Sequence, residues 1–273
     1  MISKAYIIEW QQHAPWPDPS MVEQDLVICR ALVAIFAHPV LKENLAFRGG
    51  TALFKLHMAA ARYSEDIDLV QINVEPIGEL MGSLREVLDP WLGVPTWKQT
   101  QERVTFRYRF ESEDGVPLCL KVEINTREHF SVYGFRKQDF EVNSRWFSGS
   151  SELLTYDLEE LLGTKLRALY QRNKGRDLFD LWYAFKGNSN SPVGVERTIE
   201  AFQKYLVHGG HKISRALFEK NLLEKRVNPQ FTGDIRPLLR PDIEWDFEQA
   251  FDFIMERLIA RLPGDPWQGR DKG

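Results

Sequence analysis

The chain has 273 residues, of which 43% are apolar and 27% charged, and a formal net charge of −4. That balance belongs to a soluble globular protein able to bury one large core or two modest ones, and it excludes a surface that is basic throughout. No segment approaches the roughly 18 consecutive apolar residues needed to span a bilayer, so no membrane association is expected.

Residues 1–10 mix charged and apolar side chains without the hydrophobic run of a secretory leader. Residues 14–19 (APWPDP) cannot be regular helix and read as an extended connector. Ser20 and Glu23 then form a capping-box pattern ahead of Leu26, Val27, Ile28, Ala31, Leu32, Ile35 and Phe36, which predicts an amphipathic helix ending before Pro39. Cys29 and Cys119 lie in apolar segments with no metal-ligand or redox spacing, as buried thiols of a reducing compartment do, so the cytoplasm is the expected location. A short apolar piece, 45–47, runs into Gly49-Gly50, and 51–62 reads as helix. Residues 64–69 (SEDIDL) alternate polar and apolar, as a half-buried strand does.

A further helix is predicted over 77–88. Val104, Phe106, Tyr108 and Phe110 alternate with polar residues, as do Leu118, Leu120, Val122 and Ile124, and the turn signal Glu113-Asp114-Gly115 between them predicts a hairpin. From Asp157 the pattern is helical almost without break: 157–172, 176–186, 193–206, 214–224 and 242–262, with a polar, frayed end over 263–273. The expected organisation is α+β: a sheet-forming domain over 1–150, with a helical extension at 1–40, and a helical domain over 151–273.

Asp66 and Asp68 are two apart on a predicted strand, so both carboxylates leave the same face, with Cα atoms about 6.5 Å apart. Unpaired like charges this close repel, and a shared hard cation such as Mg²⁺ resolves the conflict. On its own strand Glu123 faces away from Val122 and Ile124. Were that strand beside the Asp66 strand in register, three carboxylates would share one polar face, the arrangement that metal-assisted phosphoryl or nucleotidyl transfer uses. The competing reading makes Asp66 and Asp68 a solvated strand face and pairs Glu123 with Arg107 or Arg109. Gly49-Gly50-Thr51 suits a phosphate contact, because glycines admit close approach and a following helix offers free N–H groups; any strand-to-helix turn can also use such glycines. Ser64 lies next to the carboxylates, where a phosphate on its hydroxyl would repel a triphosphate. Its alternative is a plain strand-end hydroxyl.

Five cations, Lys165, Arg167, Arg172, Lys174 and Arg176, fall within twelve positions, the kind of cluster to which a nucleic acid responds. Leu158, Leu161, Leu162, Leu166 and Leu169 form a helical stripe, and Lys165 and Arg172 fall inside it. A cation on that stripe either snorkels to solvent or meets a carboxylate or a charged ligand; a triphosphate is the favoured partner for Lys165. Asp177 either complements the dipole of the next helix or orients Lys165 or Arg172 toward a nucleotide.

Phe47-Arg48-Gly49-Gly50-Thr51-Ala52-Leu53, Arg62-Tyr63-Ser64-Glu65-Asp66-Ile67-Asp68-Leu69 and the segment from Lys165 through Asp180 together resemble the AbiEii/AbiGii nucleotidyltransferase toxin family. These are the toxin halves of AbiE-like type IV toxin–antitoxin and phage-defence systems, related to MenT toxins and more distantly to the polymerase-beta-like superfamily. The resemblance implies a nucleotidyltransferase-type mixed sheet with flanking helices, followed by a helical C-terminal domain. It implies that Gly49, Gly50 and Thr51, with Ser64 and Arg172 nearby, hold a nucleoside triphosphate, and that Asp66 and Asp68 bind Mg²⁺ or Mn²⁺ with Glu123 as the third ligand. Lys165 would touch the phosphates, and Asp177 would match the acidic residue of the later motif. The implied partners are an NTP, an RNA that is a tRNA acceptor end in related toxins, and a cognate antitoxin. Here Gly-Gly-Thr stands where many superfamily members have Gly-Ser, and fifteen residues separate Gly50 from Asp66. A protein acceptor, and a binding module without chemistry, are the alternatives.

Overall fold

The computed structural model describes residues 2–269. Helix α1 (Lys4–Trp10) leads through the Pro-rich connector to α2 (Pro19–Ala37). The α2 cap is Asp18, whose side chain accepts from the Ser20 N–H at 2.8 Å, with Pro19 in the first turn where its missing N–H costs nothing. Ser20 is therefore inside the helix, and Glu23 is buried, accepting from the Glu113 N–H at 2.9 Å in place of closing a capping box. A short α3 (Pro39–Asn44) precedes β1 (Leu45–Arg48).

The expected helix over 51–62 is shorter. It comprises α4 (Gly49–Ala52) and one wider turn, Leu53–His57, and it stops where the His57 carbonyl accepts from the Asn190 N–H at 2.8 Å instead of from the next helical turn. Residues 58–65 then run without regular structure into β2 (Asp66–Gln71). After α5 (Gly78–Leu92) come β3 (Thr96–Gln99), β4 (Arg103–Glu111) and β5 (Pro117–Asn125), the last two forming the expected hairpin with Gly115 at φ +76° in its turn. A second hairpin, β6 (Phe135–Asn143) and β7 (Ser148–Tyr156), carries the sheet past residue 150.

The seven strands form one mixed sheet in the order β3-β4-β5-β2-β1-β7-β6. Strand β2 runs antiparallel to β1 and parallel to β5. Phe47, Ile67, Leu69, Val104, Phe106, Val122 and Ile124 are all buried on one face, and α2 packs on the same sheet. Buried Asp25 of α2 holds Lys55 Nζ at 2.7 and 2.8 Å and accepts from Trp10 Nε1 at 3.0 Å.

The chain divides into two compact units, Met1–Leu56 with Ala60–Asp157, and His57–Ala59 with Leu158–Gly273. The second unit is helical: α6 (Leu158–Gln171), α7 (Gly175–Tyr183), α8 (Val195–His208), α9 (Arg215–Arg226), α10 (Pro229–Gly233) and α11 (Phe247–Arg257). The expected helix over 242–262 begins later because Asp246 caps α11, accepting from the Gln249 N–H at 3.0 Å. Of the end predicted to fray, residues 270–273 lie outside the described residues. Among the described residues no helix is long and apolar enough to cross a membrane.

Candidate active site

Strand register decides what the acidic strand faces. Asp66 stands opposite Lys121 and Asp68 opposite Glu123 across the β2–β5 pair, while Arg48 on β1 is opposite Asp68 from the other side. On β4, Thr105 is opposite Glu123 and Arg107 opposite Lys121. The polar face thus carries acidic groups in its middle strands and cations on either side. Asp66, Asp68 and Glu123 do share that face.

They do not converge into a ligand trio. Lys121 Nζ contacts Asp66 Oδ2 at 2.7 Å and lies 3.9 Å from Glu123 Oε2. Glu123 is held by Arg103 at 3.2 Å and Thr105 at 3.4 Å, not by Arg107 or Arg109. Among the described residues no group of three carboxylate, imidazole or thiol side chains comes together closely enough to hold a metal. Lys121 stands beside Asp66 as its counter-ion. The donor set nonetheless fits a hard divalent ion. Burial, and then the charge of Asp66, push the Asp68 carboxyl above its usual range, against the pull of Lys121 and Arg48, and more positive charge there would relieve it. Lys121 is raised in turn: burial opposes its charge, but the Asp66 hydrogen bond and the charges of Asp66, Asp68 and Glu123 outweigh it.

Gly49 sits at φ +85°, and a Cβ on it would lie 2.2 Å from Asp68 Oδ2. Only glycine leaves room for that carboxylate against the backbone. A Cβ on Gly50 would meet Arg62 Nη2 at 2.5 Å and Ser64 Oγ at 3.0 Å. Thr51 Oγ1 donates to the Asp66 carbonyl at 2.5 Å and lies 2.9 Å from Ser64 Oγ. The Thr51 and Ser64 hydroxyls therefore pin the start of β2, and contact between Thr51 and a phosphate would have to use the backbone. Arg62, fully buried, donates to the Tyr63 carbonyl at 2.9 Å and lies over the Phe54 ring.

In the helical unit a second charged cluster forms. Buried Asp177 takes a two-point contact from Arg172, at 2.6 and 2.7 Å, and lies 3.3 Å from Lys165 Nζ, which also reaches Asp180 at 2.9 Å. Burial alone would raise the Asp177 carboxyl, but Lys165 and Arg172 hold it below the usual range. Lys165 therefore meets carboxylates of its own unit, the alternative to a triphosphate partner. Lys174 and Arg176 share Asp234, and Arg167 lies 5.0 Å over the Tyr205 ring. All five members of the basic cluster have partners within the unit, so the run is not a bare cationic patch.

Lys121, Arg48 and Arg62 escape a reading of periodicity. Lys121 is two residues from Glu123 and so shares its face, a signal present in the sequence, but its contact with Asp66 depends on which strands pair.

A mixed sheet with an Asp-x-Asp strand, a Gly-Gly turn pressed against the second Asp, and a helical unit with a Lys–Asp pair is the architecture of a nucleotidyltransferase. Residues 30–253 match the family described as nucleotidyl transferase AbiEii toxin, type IV TA system, and the chain belongs to that family. Its structure is similar to that of MenT4, a nucleotidyltransferase toxin from Mycobacterium tuberculosis H37Rv, at 19% identity and a TM-score of 0.62, over 97% of this chain and 92% of that one. It is also similar to JHP933 from Helicobacter pylori, at 18% identity and a TM-score of 0.49, over 86% and 88% of the two chains. No curated protein matches the sequence.

Proposed function

We propose that this toxin transfers a nucleoside monophosphate from an NTP to the 3′ end of an RNA, a tRNA acceptor end, and so inhibits translation in the cytoplasm until a cognate antitoxin restrains it, as part of defence against phage. The observation that carries the reading is the Asp66–Asp68–Lys121 cluster packed against Gly49, with Glu123 in the next strand. In this reaction the 3′ hydroxyl oxygen bonds to the α-phosphorus as the bond to pyrophosphate breaks. Glu123 takes the hydroxyl proton, and the Gly49–Thr51 backbone supports the triphosphate. Mg²⁺ or Mn²⁺, held by Asp66 and Asp68, would supply charge neutralisation of the phosphates. In the helical unit, Asp177 holds Lys165 and Arg172 by ion pairs within that unit.

Incubating the protein with each labelled NTP, Mg²⁺ or Mn²⁺, and either total tRNA or a protein extract tests this directly. Label should enter RNA, and Asp66→Ala and Asp68→Ala should abolish it. Label appearing in protein would replace the acceptor, and no transfer from any NTP would remove the enzyme reading.

A further inference from the structure

The polar sheet face is asymmetric about its acids. On one side of β2 lies β1 with the Gly49 turn; on the other, beyond β5, lie β4 and β3. There a cleft of about 390 Å³ opens, lined by Thr96, Lys98, Arg103, Thr105 and Arg107, with Lys121 and Glu123 also in its wall. The volume lies within the roughly 300–1,000 Å³ typical of ligand sites.

Two of its cations have no ion-pair partner among the described residues. Lys98 and Arg107 are exposed, and among the described residues neither makes an ion pair or side-chain hydrogen bond. Lys98 is opposite Thr105 and Arg107 opposite Thr96, so the two occupy diagonal positions across the β3–β4 pair, with Cα atoms about 7–8 Å apart. That spacing lets two long cationic side chains reach neighbouring phosphates of one extended strand. By contrast, every cation of the run over 165–176 is engaged within its own unit.

Resting on the nucleotidyl-transfer reading, in-line displacement puts the attacking hydroxyl and the leaving pyrophosphate on opposite sides of the α-phosphorus. With the triphosphate on the Gly49 side of the acids, the acceptor must come from the β4 side. We infer that the cleft between β3 and β5 is the docking site for a single-stranded RNA 3′ segment, whose backbone phosphates bind Lys98 and Arg107 while its terminal hydroxyl points at Glu123.

The test uses the full chain, the double variant Lys98→Ala/Arg107→Ala and a fluorescent single-stranded RNA of about ten nucleotides with a free 3′ hydroxyl. Both side chains are exposed, and an unchanged urea midpoint checks the fold. The variant should bind the RNA at least tenfold more weakly at low salt. Losing two phosphate contacts should flatten the slope of log K against log salt by about 1.4, at roughly 0.7 per contact on a single strand. In transfer assays KM for RNA should rise tenfold with KM for the NTP unchanged. A rise in KM for the NTP alone would assign the cleft to the triphosphate, and unchanged RNA binding and slope would overturn the inference outright. Binding is read without turnover: RNA bound through Lys98 and Arg107 in a protein that transfers nothing would sustain the docking site while removing the enzymatic reading.

Discussion

Replacing Gly49 with alanine strains the backbone and displaces a carboxylate, and the two effects separate experimentally. The residue sits at φ +85°, where a Cβ costs about 1–2 kcal/mol against the neighbouring carbonyl. The new methyl would also stand 2.2 Å from Asp68 Oδ2 and 3.0 Å from its Cβ and Cγ, so the carboxylate must retreat by roughly 1 Å to regain ordinary contact. A misplacement of that size in a reacting constellation costs on the order of 100-fold in rate, equivalent to about 2.7 kcal/mol of transition-state stabilisation. Gly115→Ala is the matched control: it too has positive φ, at +76°, but a Cβ there meets nothing within 4 Å. Urea denaturation should show both variants destabilised by about 1–2 kcal/mol. Nucleotide transfer, followed by pyrophosphate release, should fall about 100-fold in Gly49→Ala and stay within twofold in Gly115→Ala. If the two variants transfer at similar rates, the position of the Asp68 carboxylate does not govern the chemistry and the argument fails.

Asp177→Asn removes a buried charge that Arg172 grips at two points and Lys165 approaches at 3.3 Å. Breaking buried pairs costs about 3–5 kcal/mol; Arg172 is half-exposed and Lys165 keeps Asp180, so about 3 kcal/mol is expected in chemical denaturation. The Asp177 carboxyl is held low in the folded state, so its stabilisation is present above the unfolded value of about 3.9 and is lost as pH falls through the lower folded value. The acid limb of the wild type should be steeper than that of Asp177→Asn, and coincident limbs would count against the pairing. Lys55→Met strands Asp25 in the core with only its tryptophan donors and the Cys29 thiol; a loss of about 3–5 kcal/mol is expected, largely recovered in Asp25→Asn/Lys55→Met. Lys121→Met leaves Asp66 without its cation, so the melting temperature should drop without divalent ions and rise more with Mg²⁺ than in the wild type. An equal Mg²⁺ response would mean that Lys121 and the metal do not compete for those carboxylates.

The membership of individual faces follows from the chain's own periodicity. A two-residue repeat places Asp66 with Asp68 and turns Glu123 away from Val122 and Ile124, whichever strands they pair with, because successive side chains on a strand must alternate. The same holds for Lys165 within the leucine stripe of α6, where the helical repeat alone puts a cation among buried residues. Local chemistry also marks the β4–β5 turn at Gly115. By contrast, the short β3 and the Ser-rich β7 carry little strand signal and form because a neighbour pairs with them: Thr155 Oγ1 donates to the Phe47 carbonyl at 2.7 Å across 108 residues of chain. Pairing of β2 with β5, and not with another strand, brings Lys121 onto Asp66 and aligns Asp68 with Glu123. Packing in the helical unit likewise sets Asp234 against Lys174 and Arg176, turning a basic run into ion pairs. Periodicity reaches only a few residues along the chain, whereas strand register and ion-pair partners depend on contacts between segments far apart in it. The sequence therefore determined which side chains share a face; only the tertiary structure decided what each face meets.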